Sequence, residues 1–138
     1  MKSIDKFLFE ELLAQAEKNP RLRQNYDMRT TSEDHSQRML NALLPGTCVP
    51  IHRHPHSTEA VLLLSGRAEE ILYEEVNGEG GESDRRFREI ERYLMDPKTG
   101  QFGCVVPVGA WHTILALEPS VIFEAKDGKY GEDGSEIG

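Results

Sequence analysis

The sequence predicts an all-β sandwich or barrel preceded by one helix. Three observations carry this. Short apolar runs recur along the chain between turn signals. Those runs are rich in β-branched and aliphatic residues and are too short for core helices. One stretch with helical periodicity stands apart at the N-terminus.

That stretch runs from about Ile4 to Lys18, with Ser3 as the expected cap and Asn19-Pro20 as the stop. Phe7, Leu8, Leu12 and Ala16 share one helical face, so the helix is expected to pack on the outside of the barrel. A polar linker follows. Gln37 to Leu44 reads as a strand ended by Pro45-Gly46, and Cys48 to His54 as a second strand ended by Pro55. Glu59 to Ser65 is aliphatic and expected to be buried. Arg67 to Val76 continues after the Gly66 turn and pairs with Phe87 to Met95. Between them, Asn77 to Asp84 reads as a loose hairpin tip and the most mobile loop. Asp96 to Gly100 is a turn. Gln101 to Val106, His112 to Leu117 and Val121 to Ala125 complete the strands. The small, acidic segment after Tyr130 is expected to be weakly ordered.

Composition narrows the partners. A chain of 138 residues suits a single domain with one sizeable core. Its net charge of -8 disfavours nucleic acid and anionic membrane surfaces, which need clustered Lys and Arg. No apolar run approaches the roughly 20 residues of a membrane span, and the N-terminus lacks the features of a signal peptide. Cys48 and Cys104 do not make a disulfide framework, so a reduced, cytoplasmic setting is expected. The expected partners are a small molecule and a second copy of the chain.

The chemistry-bearing residues cluster in two segments. PGTCVPIHRHPHSTEAVLLLSG carries Gly46, His52, His54, Glu59 and Gly66 as G-x5-H-x-H-x4-E-x6-G. GCVVPVGAWH adds Pro107, Gly109 and His112. Alternation on a strand puts His52 and His54 on one face and Arg53 on the other. With Glu59 and His112 they make three nitrogens and one oxygen, a donor set that suits one divalent zinc, iron, manganese or nickel ion. The alternative register, His54 with His56, conflicts with Pro55 and with the spacing to Glu59, so His56 is expected at the pocket rim. Arg38 and Asn41 are pocket candidates on the preceding strand, although opposite parity lets only one of them face inward. Glu124 and Lys126 share a face of the last strand; if that face is inward, they form an acid/base pair beside the metal.

The two segments resemble the paired motifs of the cupin superfamily. The first matches the usual spacing at each defined position. The second is shorter between Gly103 and Pro107 and has Ala116 in place of the common asparagine. A narrower resemblance runs from about Phe7 to Tyr130. RQNYDMRTTSEDHSQRMLNALLPGT, PIHRHPHSTEAVLLLSG and FEAKDGKY are similar to the WbuC-type cupin metalloproteins, which sit in bacterial polysaccharide gene clusters. This chain departs from that group at Asp27, Arg29 and Lys129. The resemblance implies a double-stranded β-helix (jelly-roll) barrel over 36–127, an N-terminal helix over 1–20, a tail over 128–138 and a bound metal. It also implies a role in surface polysaccharide biosynthesis, with isomerisation or epimerisation of a sugar or nucleotide-sugar precursor as the expected reaction. A metal-dependent dioxygenase and a non-catalytic ligand- or metal-binding module are the competing expectations.

Overall fold

The computed structural model describes residues 1–76 and 85–138. The expected hairpin tip and mobile loop at 77–84 lies outside the described residues.

A helix, α1 (Lys6–Lys18), leads into ten strands: β1 (Arg23–Asp27), β2 (Ser36–Leu43), β3 (His52–Arg53), β4 (Glu59–Ser65), β5 (Ala68–Val76), β6 (Arg86–Met95), β7 (Gly103–Val106), β8 (Trp111–Ala116), β9 (Ser120–Asp127) and β10 (Glu136–Ile137). The helix is capped by Asp5 rather than Ser3. The Asp5 carboxylate accepts from Leu8 N–H at 3.0 Å and the Ser3 hydroxyl donates to that same carboxylate.

The strands form two antiparallel five-stranded sheets. One has the order β1-β2-β9-β4-β7 and the other β10-β3-β8-β5-β6. Strand alternation explains what lies between and outside them. Leu43, Val61, Leu63 and Ile122 of the first sheet meet Ala68, Met95, Ile114 and Ala116 of the second in one buried cluster. Residues of the opposite parity, Leu40, Ala42 and Val121, pack beneath Leu12 and Ala16 of α1. The helix therefore covers the outer face of the first sheet, while Phe7 stays two-thirds exposed. None of the described helices is long and apolar enough to cross a membrane.

Gly66 sits where β4 turns into β5. Its φ is +97°, and a Cβ there would lie 2.4 Å from both the Pro119 carbonyl oxygen and the Ser120 hydroxyl. Only glycine meets both demands at once.

Two segments differ from the expected boundaries. The expected polar linker holds β1, which pairs along its length with β2. The expected weak tail folds back as β10 and pairs with β3, Glu136 opposite Arg53 and Ile137 opposite His52. The tail is tied down by polar contacts. Buried Gln37 donates to the Gly128 carbonyl at 2.9 Å and to the Asp133 carboxylate at 2.7 Å. Gly138 N–H donates to the Ile51 carbonyl. Both strands are polar in composition, so no apolar periodicity announces them. The expected strand over Cys48 to His54 shrinks to His52–Arg53, and Cys48 is exposed.

Candidate metal centre

The site lies between the two sheets at one end of the barrel. His52 of β3 stands directly opposite His112 of β8 in strand register. His54 follows where Pro55 ends the extended run. Glu59 opens β4, opposite Lys126 of β9. The three imidazole rings lie within 5.2 Å of one another, centroid to centroid. One donor atom from each of His52, His54, Glu59 and His112 lies within 4.8 Å of every other, a span on the scale of one ion's ligand shell. His54, Glu59 and His112 are at most 4% exposed.

The outer nitrogens decide how these rings can act. His52 Nδ1 is 2.8 Å from the Pro50 carbonyl and His112 Nδ1 is 2.9 Å from the Ala110 carbonyl. A carbonyl can only accept, so each Nδ1 carries the proton and each Nε2 presents a lone pair. His54 Nδ1 is 2.7 Å from Ser135 Oγ, and that hydroxyl donates to Asp133 Oδ1 at 2.6 Å. Ser135 therefore accepts from His54, and the third Nε2 is a lone pair as well. Three basic nitrogens and one carboxylate thus converge. This outer arrangement is the one metal-ligating histidines use.

The inner atoms are short of partners. His54 Nε2, His112 Nε2 and Glu59 Oε2 are buried without a hydrogen bond. Glu59 Oε2 lies 2.6 Å from His54 Nε2 and 3.5 Å from His112 Nε2, without the angles of a hydrogen bond. Buried polar atoms left this way are costly, and a shared divalent cation would satisfy all three. The residues present fit such an ion.

Electrostatics agree. Burial, aided by the neighbouring His112, pushes the His52 imidazole down to about 4, so it is neutral near pH 7. Burial alone would raise the Glu59 carboxyl, but the His112 and His54 rings beside it outweigh that and hold it well below the usual carboxylate range. Glu59 is the anionic member of the set.

Two cavities that share wall residues adjoin the cluster. The inner one, about 280 Å³, is walled by His52, Glu59, His112, Asn41, Glu70 and Glu124. The outer one, about 420 Å³, is walled by His52, His54, Lys126, Tyr130 and the tail residues Asp133 to Ile137. Glu124 accepts from the Asn41 amide at 3.0 Å. Burial, together with the charge of Glu59, pushes the Glu124 carboxyl up to about 8.

The structure places the other expected residues unequally. Asn41 and Glu124 line the inner cavity and Lys126 the outer one. Arg38 lines neither. It shares the parity of Leu40 and Ala42, the face turned away from the cavity, and pairs with Asp34 at 2.9 Å. His56 is exposed and stands outside the four-ligand group, its ring against Gly134. The Pro55 turn carries it away from the cavity. Three contributors were missed. Ser135 and Asp133 come from the tail, and Glu70 from β5. Glu70 is 5% exposed, and burial with the charges of Glu59 and Glu124 raises its carboxyl well above the usual range. Its parity with Ala68 on an inward-facing strand was the available signal.

The chain has the cupin fold, and His52, His54, Glu59 and His112 form a group that could hold a metal ion. The chain belongs to the family described as Domain of unknown function (DUF6016), whose model matches residues 4–83. No curated protein matches it. Among solved structures it is similar to the Cnp3 cupin domain of Schizosaccharomyces pombe, with TM-score 0.56 and 12% identity over 77% of this chain and 64% of that one. It is also similar to the capsular polysaccharide assembling protein CapF of Staphylococcus aureus, with TM-score 0.53 and 19% identity over 83% of this chain and 29% of that one. An oxalate oxidase in complex with the substrate analogue glycolate gives TM-score 0.53 and 15% identity over 99% of this chain and 66% of that one. These likenesses carry the fold. The chain spans less than two thirds of the Cnp3 domain and less than a third of CapF.

Proposed function

We propose that this chain is a divalent-metal cupin that isomerises or epimerises a sugar or nucleotide-sugar precursor for bacterial surface polysaccharide. One observation carries the metal reading: three Nδ1 hydrogen bonds turn three Nε2 lone pairs, with Glu59, toward one another at the wall of a cavity. The sugar reading is supported by the resemblance to WbuC-type cupins, and at the level of fold by the likeness to CapF.

A bound divalent ion would polarise a carbonyl or hydroxyl oxygen of a ligand in the cavity. The chain supplies the rest. Glu124, one of the polar groups of the inner wall, would exchange a proton with a carbon next to a carbonyl. Lys126, across from Glu59 in the sheet and in the wall of the outer cavity, would be the partner acid. In an epimerisation the proton leaves one face of that carbon and a proton returns to the other, so nothing is oxidised. The dioxygenase reading uses the same four ligands and differs in the metal and in the need for oxygen.

The test is proton exchange. The metal-loaded chain is incubated in deuterated water with candidate sugars and nucleotide sugars and followed by NMR. The expected result is deuterium at the carbon next to the carbonyl, lost in Glu124→Gln with metal retained. Oxygen consumption without such exchange would overturn the isomerase reading in favour of the dioxygenase.

A further inference from the structure

The chain crosses from α1 to β1 through an unusual conformation. Leu22 has φ +57°, the one non-glycine residue in the left-handed region among the described residues. That conformation is disfavoured for a residue with a branched side chain and persists only where its surroundings impose it. They do so here. Leu22 N–H donates to the Asn19 carbonyl and the Leu22 carbonyl accepts from Leu44 N–H. Arg21 is held at both ends of its backbone: its N–H donates to the Asn19 side chain, and its carbonyl accepts from the buried Thr47 hydroxyl at 2.6 Å. The strained, fastened turn delivers two side chains to one place. Arg21 and Arg23 both line the inner cavity with His52, Glu59 and His112, and Arg23 also lines the outer one.

The charge of these two arginines is unspent. Arg29, Arg38, Arg53 and Arg67 each reach a carboxylate within 4 Å. Among the described residues no carboxylate pairs with Arg21 or Arg23. Arg23 donates to the Cys48 carbonyl at 2.8 Å, a neutral acceptor. Arg21 is exposed and Arg23 partly buried, so in a chain of net charge -8 two neighbouring guanidiniums at the cavity are open to an anion from outside. Guanidinium presents paired donors matched to phosphate and carboxylate. Deeper in the same cavity the polar groups are of another kind: the Asn41 amide and the Glu70 and Glu124 carboxyls, above an apolar floor of Val61, Ile114 and Ile122. Those groups suit hydroxyls.

We propose that Arg21 and Arg23 form an oxyanion subsite at the metal cavity, and that the ligand is a small polyhydroxylated anion with its hydroxyls toward Asn41, Glu70 and Glu124. The oxyanion is the phosphate of a sugar phosphate or the carboxylate of a sugar acid. This assignment rests on the metal-cupin reading above and names the ligand class for it.

The experiment compares glucose, glucuronate and glucose 6-phosphate as probes, by calorimetry on the metal-loaded chain and on the Arg21→Gln/Arg23→Gln variant. Metal content of both proteins is measured alongside. The expected result is that at least one anion binds on the order of tenfold or more tighter than glucose, and that the double variant loses this preference while keeping its metal. Preference for the phosphate or for the carboxylate identifies the source of the oxyanion. Anions that bind no better than glucose, or equally well to the variant, overturn the proposal. The same titrations on metal-free protein separate the two readings. A wild type that takes up no divalent ion yet prefers anions through Arg21 and Arg23 fails the metal reading alone, whereas a metal-bound chain without anion preference fails only this one.

Discussion

Ser135 Oγ accepts from His54 Nδ1 at 2.7 Å while donating to Asp133 at 2.6 Å. A residue three places from the C-terminal end of the chain thus fixes the tautomer of a histidine in the candidate metal group. Loss of such an outer partner typically costs ten- to a hundred-fold in metal affinity. Ser135→Ala should therefore weaken metal binding by about that factor, measured by competition with a chelator of known affinity. The metal-free melting temperature should change little, because Ser135 lies outside the apolar clusters. Unaltered affinity would remove Ser135 from the site.

The ligand assignment itself is tested with the His52→Ala/His112→Ala variant. Purified wild type should carry about one divalent ion per chain and the variant essentially none, by elemental analysis. Metal that binds the folded chain alone also stabilises it, by about 4 kcal/mol at a thousandfold excess over the dissociation constant. Chelation should accordingly lower the wild-type melting temperature and leave the variant's unchanged. Full metal content in the variant would mean that the ion sits elsewhere.

Reading the sequence located some parts of this molecule well and others poorly, for reasons that are physical. Glu59–Ser65 and β8 follow apolar runs that feed the central cluster, so burial left its mark on composition. The four-residue ligand group was legible because metal chemistry restricts residue type and strand alternation restricts spacing. Arg38 was misplaced because parity alone does not say which face of β2 looks toward α1 and which toward the cavity. Strands β1 and β10 were missed because they are short and polar. The tail is held by Gln37, about a hundred residues earlier in the chain, and such distant pairing leaves no local trace. Arg21 and Arg23 belong to no motif in the sequence; the turn at Leu22 is what brings them to the cavity.

His56 is the decoy of the first segment. It follows Pro55, is exposed, and faces Gly134 rather than the cluster. His56→Ala should retain at least most of its metal, whereas His54→Ala should lose it. Equal losses in the two variants, compared at matched protein concentration, would show that the pair is His54 with His56.

Gly66 allows a direct test of the β4–β5 turn. Alanine there would meet the Pro119 carbonyl and the Ser120 hydroxyl at 2.4 Å and adopt a φ of +97°. Backbone must move, since two of the three nearest atoms belong to the main chain. Strain of this kind costs roughly 1–3 kcal/mol before the clash is added, so Gly66→Ala should lower the denaturation midpoint by at least that equivalent. Gly109→Ala is the control: its φ is +75° but nothing lies within 4 Å of the added Cβ, so it should show the conformational cost alone. Equal destabilisation by the two would mean that the Gly66 contact is relieved without cost.

Asp34 pairs with Arg38 on the face of β2 turned away from the cavity, and it has a pH signature. Its carboxylate accepts from Ser36 N–H, then from Arg38 and Thr30 N–H, and these hold it down to about 2 from an ordinary 3.8. A carboxyl whose pKa is lower in the folded state adds stability that is complete above the unfolded value and disappears as pH falls through the folded one. Asp34 should therefore contribute fully above 3.8 and lose its contribution between 3.8 and about 2. Asp34→Asn removes the titration while keeping a similar shape. Its stability, followed by denaturation across that window, should fall less steeply with acid than the wild type's, while the metal-binding pH profile stays the same. An identical acid slope would mean that the Asp34–Arg38 cluster is not maintained in solution.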